Sequence, residues 1–477
     1  MKKINKFKVL PYLLCAIAVS GPAHSASLLE IYQRALQGDP QIHEAEARRL
    51  AALEAKPQAR SAYMPQITAG GNYSMSETSG PRSFFDDAGE RRIVDADIET
   101  DVFSWDVTLR QSLFRWDYVV GLRQADKTVA RAEAVREAAQ QDLIIRVAQR
   151  YFDVLAAEDR LTSIHADRTA IARQLEQAKQ RFEVGLIAIT DVQESQAAYD
   201  NAVANEIAAK RSLATAREFL REITGEYVSE LSAPAEDFPL ITPDPSDEAS
   251  WVDMALTQNL TLLASRIDEQ LARDQIALRR TGRYPTLDLV ANTSEDKSDQ
   301  TTTTALGTST DSLTNPRDSI TLQLSVPIFT SGGTSSRVRE AVYLHRAARE
   351  QLQRVTRETE RQARDAYLGF LSERSRVKAL EQAVASSTTA LQATEAGFEV
   401  GTRTIVDVLN SQFTLYQAVT NYYQSRYDYV LNALRLKQAA GNLAVQDLER
   451  IDQYLEKRKS PEQQFAEEVK AEEAAED

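Results

Sequence analysis

Two stretches of the chain alternate strictly between apolar and polar residues, which is the pattern of a β-strand with one apolar face. The apolar positions are Phe103, Trp105, Val107 and Leu109 in the first stretch, and Ile320, Leu322, Leu324 and Val326 in the second. A weaker strand pattern precedes each stretch, at residues 67–75 and 287–293. The sequence therefore predicts four strands, arranged as two β-hairpins over about 66–114 and 286–329.

The segments that connect the strands of each hairpin, residues 76–100 and 294–317, are rich in Asp, Ser, Thr and Gly. This composition predicts exposed loops. The strands themselves are compatible with a soluble β-sandwich that has one wet face, and also with a sheet that faces lipid. Four strands cannot close a membrane barrel, however, because the smallest such barrels have about eight. If the strands contact lipid, several copies of the chain must share one barrel.

Most of the remaining chain predicts very long helices, because glycine and proline are scarce. The 477 residues include only 17 Gly and 14 Pro, about half the usual share. The segments 117–184 and 335–400 contain no Pro, and apolar residues recur in them at heptad spacing, as at Val154, Leu161 and Leu175. A helix of this length extends roughly 100 Å. The pattern predicts coiled-coil helices rather than a thick globular core.

The second half of the chain repeats the first at an offset of 216 residues. The matching landmarks are Tyr151 with Tyr367, Asp191 with Asp407, Gly225 with Gly441, and Phe-Glu-Val-Gly at 182–185 with the same four residues at 398–401. Several landmarks at one offset indicate an internal structural repeat. Each repeat is predicted to run from a helix through a β-hairpin to a long helical hairpin.

The repeat sets the predicted boundaries, which are 26–230 and 251–441 with a linker at 231–250. The return helices are expected at 190–224 and 404–440. Gly185 and Gly401 are predicted to end the long helices in the left-handed conformation. Thr190 and Gln193 are predicted to form a capping box that begins the first return helix.

The two ends of the sequence have their own signatures. Four lysines precede an apolar run from Val9 to Val19, and small residues occupy positions 23 and 25 before a cut at Ala26, so residues 1–25 are typical of a secretory signal peptide. Cys15, the only cysteine, lies inside this leader. The acidic segment 460–477 is almost free of large apolar residues and is predicted to be disordered.

Charge and side-chain chemistry argue against nucleic-acid binding and catalysis. The net charge is −14, whereas phosphate binding depends on clustered Lys and Arg. His43, His165 and His345 lack the close spacing of a metal site, and no P-loop or paired nucleophile and base is present. No enzyme activity, metal or cofactor is predicted. After residue 26 no apolar run reaches the roughly 18 to 20 residues of a membrane helix.

The helical hairpin turns resemble those of the TolC family of outer-membrane efflux and type I secretion channel-tunnels. The residues that carry the resemblance are Arg-Phe-Glu-Val-Gly-Leu-Ile-Ala-Ile-Thr-Asp-Val-Gln at 181–193 and Gly-Thr-Arg-Thr-Ile-Val-Asp-Val-Leu at 401–409. The similarity extends from about Leu28 to Leu448. It implies a mainly α-helical homotrimer in the bacterial outer membrane.

In that trimer, four transmembrane strands per chain would close a twelve-stranded β-barrel. The long helices would form a coiled-coil α-barrel in the periplasm, and residues 231–250 and 442–459 would contribute to an equatorial region. The side chains implied to face lipid are Phe103, Trp105, Val107, Leu109, Ile320, Leu322 and Leu324.

The function implied by the resemblance is passive export of drugs, toxins or secreted proteins. The channel would dock to a periplasmic adaptor (membrane fusion) protein and to an inner-membrane pump of the RND, ABC or MFS class. Two alternatives remain open: a non-conducting periplasmic coiled-coil structural or adaptor protein, and a channel dedicated to one toxin-secretion or metal-efflux pump. A purely structural coiled coil would have no reason to carry alternating strands at matching positions in both halves.

The resemblance places a selective constriction at Asp407. Three copies would form a ring of carboxylates that attracts cations, and crowding of like charges would raise their apparent pKa. Members of the family have a second acidic ring one helical turn further on, but this chain has Asn410 there. Cation selectivity and blockage by multivalent cations are therefore expected to be weaker than in relatives with two rings.

The resemblance also implies a latch that holds the entrance closed. Arg403 would bond to Thr190 and Asp191 on a neighbouring hairpin. Phe398 stands where the family has a Tyr that bonds to the Asp, so the resting gate would lack one hydrogen bond, worth about 0.5–1.5 kcal/mol. Spacing alone gives a different interpretation, because Asp191 and Asp407 are also suited to helix starts, where carboxylates favour the helix dipole.

Overall fold

A computed structural model describes residues 25–85, 89–228, 230–235, 238–305, 307–458, 460–461 and 463–465. Apart from Ser25 the predicted signal peptide lies outside these residues, and so does most of the predicted acidic tail. The described residues are mainly α-helical and include a four-stranded sheet. The predicted fold class is confirmed.

The described helices fall into short helices and two long helical hairpins. The short helices are α1 (Leu28–Gly38), α2 (Pro40–Leu53), α3 (Ala55–Ser61), α6 (Glu248–Gln258), α7 (Leu260–Arg280) and α10 (Val445–Asp452). The hairpins consist of α4 (Trp116–Glu183) with α5 (Ile189–Thr224), and α8 (Gly333–Glu399) with α9 (Ile405–Ala440). The arms α4 and α8 contain 68 and 67 residues. No described helix has an apolar stretch long enough to cross a membrane.

Four long strands form one antiparallel sheet in the order β1-β2-β4-β5. Their bounds are β1 Gln66–Phe85, β2 Arg91–Phe114, β4 Thr286–Thr304 and β5 Gly307–Ser325. The two β-hairpins, β1-β2 and β4-β5, pair through β2 and β4. This leaves β1 and β5 as the edges of the sheet within one chain. Two short strands, β3 (Ser232–Pro234) and β6 (Leu455–Lys457), pair separately.

The prediction of loops at 76–100 and 294–317 is wrong, because strand pairing continues through most of both segments. The hydroxyls of Thr301 and Thr310 lie 3.2 Å apart across β4 and β5, as do those of Thr303 and Thr308. Threonine is β-branched and favours strands, and paired hydroxyls stabilise neighbouring strands. A strand that is polar on both faces lacks the apolar–polar alternation by which strands are recognised in a sequence. Its polar composition therefore indicates a loop, although the segment forms a strand.

The chain divides into two compact units. One is Met1–Ile42, Gln140–Asp253 and Gln362–Asp477, and the other is His43–Ala139 and Met254–Arg361. Each unit draws on both sequence repeats, so the units do not coincide with the repeats.

The core of the first unit is built around aromatic side chains of α4 and α9. Tyr151 and Phe152 are buried, and the Phe152 ring stacks on the Tyr427 ring with centroids 5.5 Å apart. The Tyr427 hydroxyl donates to the buried carboxylate of Asp159 at 2.5 Å, and Arg458 pairs with the same carboxylate. The Asp159 charge is therefore compensated by hydrogen bonds, which a buried charge requires.

The second unit contains the sheet and polar contacts between its helices. Lys127 Nζ on α4 lies 2.7 Å from Asp274 Oδ2 on α7, and His345 Nε2 on α8 lies 2.7 Å from Glu269 Oε1 on α7. Within the described residues, no group of three His, Cys, Asp or Glu side chains is placed to hold a metal ion.

Candidate functional site

The turns of the two helical hairpins, here called the hairpin tips, comprise residues 183–189 and 399–405. Gly185 and Gly401 have the predicted left-handed conformation, with φ of 75° and 77°. At the first tip the Gly185 and Leu186 N–H groups donate to the carbonyls of Phe182 and Arg181, both at 2.9 Å. These two bonds form a Schellman motif that ends α4. The second tip has the corresponding bonds from Gly401 and Thr402.

The two return helices begin differently, and the predicted capping box at Thr190 and Gln193 is wrong. Helix α5 begins at Ile189, so its N-cap is Ala188, which has no side-chain cap bond. At the second tip the N-cap is Thr404, which forms a capping box with Asp407. The turns of the two tips have equal lengths, so the N-caps of α5 and α9 lie at equivalent positions of the repeat. Subtracting the offset of 216 from Thr404 identifies Ala188 as the N-cap of α5.

This difference gives the two equivalent acidic residues different surroundings. The Asp407 carboxylate accepts hydrogen bonds from the Thr404 N–H and hydroxyl, both at 2.9 Å. These bonds, together with the nearby Arg403 charge, lower the pKa of Asp407. The predicted rise in pKa concerns a ring of three chains and stays a prediction. In the described part of the chain, the half-buried Asp191 carboxylate has no hydrogen-bond partner.

The predicted latch residue Arg403 is exposed, and its side chain folds across Gly397. A Cβ atom at Gly397 would lie 2.8 Å from Arg403 Cγ, so a larger residue there would displace the arginine. Within the described residues of one chain, Arg403 forms no ion pair with Asp191. The predicted bonds from Arg403 to a neighbouring hairpin therefore stay a prediction.

A small cleft lies between the two tips and brings together residues of both hairpins. It is lined by Gln174, Ala178, Arg181, Asp191, Phe398 and Ile405. The guanidinium carbon of Arg181 lies 4.8 Å from the centroid of the Phe398 ring. Sequence reasoning identified Asp191 and Phe398 but missed Arg181, which no local motif marks. Asn410 is exposed on α9, one helical turn beyond Asp407.

The strand residues implied to face lipid share one face of the sheet. Direct pairing places Ile67, Leu109, Ala291 and Ile320 in one row across all four strands. Because side chains alternate along a strand, the other predicted positions on β2 and β5 lie on this face too. Ile320, Leu322 and Leu324 are 80%, 62% and 65% exposed. Apolar side chains this exposed on one face require a membrane or a partner to cover them.

Comparisons with known proteins agree with these features. The sequence profile described as "Outer membrane efflux protein" matches residues 31–226 and 251–442. The outer membrane protein TolC of Vibrio cholerae is 39% identical over 92% of this chain and 97% of its own length, and TolC of Escherichia coli is 36% identical over 94% and 90%. The alkaline protease secretion protein AprF of Pseudomonas aeruginosa is 28% identical over 90% and 87%.

Among solved structures, the Campylobacter jejuni CmeC outer membrane channel superposes with a TM-score of 0.67, covering 96% of this chain and 98% of that one at 14% identity. An exposed apolar sheet face, paired helical hairpins and these relatives together define an outer-membrane export channel. The chain belongs to the outer membrane efflux protein family, and the TolC-family resemblance is confirmed.

Proposed function

We propose that three copies of this chain form one gated channel that passively exports drugs, toxins or secreted proteins. The observation that carries the proposal is the sheet, which has four strands, an apolar face and two edge strands left unpaired within the chain. Exposed edges favour pairing with another chain, and three copies would supply twelve strands, enough to close a membrane barrel. Purified protein is expected to migrate as a trimer that dissociates on heating. Migration only as a monomer would contradict the proposal.

The proposed partners are a periplasmic adaptor protein and an inner-membrane pump of the RND, ABC or MFS class. Such a pump would supply the energy for export, and this chain would supply the passive path across the outer membrane. The names of two relatives, the outer membrane efflux protein BepC and the alkaline protease secretion protein AprF, support both efflux and protein secretion. The alternative of a non-conducting periplasmic coiled-coil protein does not account for the exposed apolar sheet face.

The closed state of the proposed gate is held by Arg403 of one chain and by Thr190 and Asp191 of the next. Asp407 is bonded to Thr404 in its own chain, whereas the Asp191 carboxylate has no such bond. Of the two equivalent carboxylates, Asp191 is therefore the one available to an arginine of a neighbouring chain. The exposure of Arg403 supports the same assignment.

Replacement of Ala188 by Thr is expected to strengthen the first tip and weaken the gate. A hydroxyl at this N-cap would bond as Thr404 does, which stabilises α5 by about 0.5–2 kcal/mol. The same hydroxyl would donate a hydrogen bond to the Asp191 carboxylate and compete with Arg403 of the neighbouring chain. Single-channel conductance should therefore rise. Ala188→Val is the matched control, since valine has nearly the shape of threonine but lacks the hydroxyl. Equal conductance of the two variants would count against Asp191 as the partner of Arg403.

Asp407 is proposed to line the narrowest part of the pore as a ring of three carboxylates. Asp407→Asn should reduce cation preference, because the ring charge attracts cations. Reversal potentials under a salt gradient measure this preference. Asn410→Asp adds the second ring that this chain lacks and should shift the potential in the opposite direction. An unchanged reversal potential in Asp407→Asn would place this residue outside the pore.

A further inference from the structure

We propose that Arg181 is a second cation of the gate, whose guanidinium binds the face of the Phe398 ring and joins the two helical hairpins of one chain in the closed state. The inference rests on the proposed gating function. It adds a contact within each chain to the Arg403 contact between chains.

The geometry of the pair is that of a cation–π interaction. The Arg181 guanidinium carbon is 4.8 Å from the Phe398 ring centroid, inside the distance of about 6 Å over which a cation is attracted to an aromatic face. Both side chains are half-buried and line the cleft between the tips. Partial removal from water strengthens such an attraction.

The position of the pair in the fold suits a latch. Arg181 lies in the last turn of α4, in the first hairpin, and Phe398 lies in the last turn of α8, in the second hairpin. The contact therefore crosses from one hairpin to the other at their tips. A movement that separates the two tips must break it.

Within the described residues, this contact has no counterpart at the equivalent positions of the internal repeat. The repeat equivalent of Arg181 is Gly397, and that of Phe398 is Phe182, which is 41% exposed. Gly397 instead leaves room for the Arg403 side chain. The first tip thus directs its arginine to a ring of the same chain, and the second tip leaves its arginine exposed for another chain.

Two simpler roles for Arg181 have to be separated from this one. A basic residue in the last turn of a helix is favoured by the helix dipole, and an arginine in this cleft could act through the charge of Asp191. Within the described residues, no ion pair joins Arg181 to Asp191. Neither simpler role depends on the electron density of the Phe398 ring, so a change in that density isolates the cation–π interaction.

The test places 4-fluoro-, 3,5-difluoro- and 3,4,5-trifluorophenylalanine at position 398 of the full chain. Fluorine withdraws electron density from the ring and changes its shape little. The frequency of wide openings, measured on purified trimers in planar bilayers, should rise stepwise along the series, by about two- to fivefold in total. The same series in an Arg181→Gln background should be flat, with openings as frequent as in the trifluoro protein. The trifluoro residue at Phe182, over whose ring no arginine of the described residues lies, is the matched control and should have no effect.

Heat-modifiable migration of every variant confirms that a trimer has formed. If the frequency of wide openings does not change along the fluorination series at position 398 in the otherwise unchanged chain, the inference is overturned. This holds even if Arg181→Gln alone alters the openings. An equal response at Phe182 would also overturn it. Arg403→Ser is recorded alongside: if it widens the channel while fluorination is silent, the gate stands and the role of Arg181 fails. If neither change has an effect, the gating proposal itself fails.

Discussion

Replacement of Arg403 by Ser is expected to raise single-channel conductance and to make cells sensitive to large antibiotics such as vancomycin. The substitution removes the cation proposed to hold Asp191 and Thr190 of the adjacent chain. A hydrogen bond to a charged group contributes about 1.5–3 kcal/mol, and a trimer loses such bonds at all three contacts between chains at once. Conductance of purified channels and growth inhibition by vancomycin measure the two consequences.

A charge exchange provides the control for this prediction. Arg403→Asp should open the channel at least as far as Arg403→Ser, because it places a carboxylate near Asp191. Adding Asp191→Arg to that variant should restore low conductance, since the attraction returns with its direction reversed. Failure of the double substitution to close the channel, or a Ser variant with unchanged conductance and vancomycin resistance, would remove Arg403 from the latch.

Replacement of Ile320 by Arg is expected to prevent assembly in the outer membrane. Ile320 is 80% exposed on β5 and belongs to the apolar row that crosses all four strands. An arginine on the lipid face of a membrane strand costs about 2–4 kcal/mol at the midplane and less near the interfaces, and the cost is incurred in all three chains. Heat-modifiable trimers in the outer-membrane fraction should be strongly reduced.

The neighbouring residue supplies the matched control. Thr321 points to the opposite face of β5 because side chains alternate along a strand. Thr321→Arg should therefore leave trimers in the membrane. If both substitutions reduce trimers equally, the cost is not one of lipid contact and the apolar face has another role.

The long helices of this chain are predictable from sequence because their signals are local and repeated. Heptad spacing and the absence of proline from 117–184 and 335–400 indicate their length, and Gly185 and Gly401 mark their ends. The full length of the strands is not predictable in the same way. In β4 and β5, threonines on facing strands remove the apolar alternation while stabilising the pairing.

The tips show where local reasoning about a site reaches its limit. Thr190 is a better N-cap residue than Ala188 by type, but the turn length decides which residue occupies the position. The contact of Arg181 with Phe398 joins two hairpins from different halves of the chain. No spacing rule reports a contact over that separation, whereas the family resemblance identified Asp191 and Phe398 individually.

Single-channel recording of the purified, detergent-solubilised trimer in planar bilayers tests the central claim most directly. Discrete, stable current steps with a preference for cations are the result expected of three chains that together enclose a pore. Trimers that insert into the bilayer and carry no current, under any applied voltage, would contradict it.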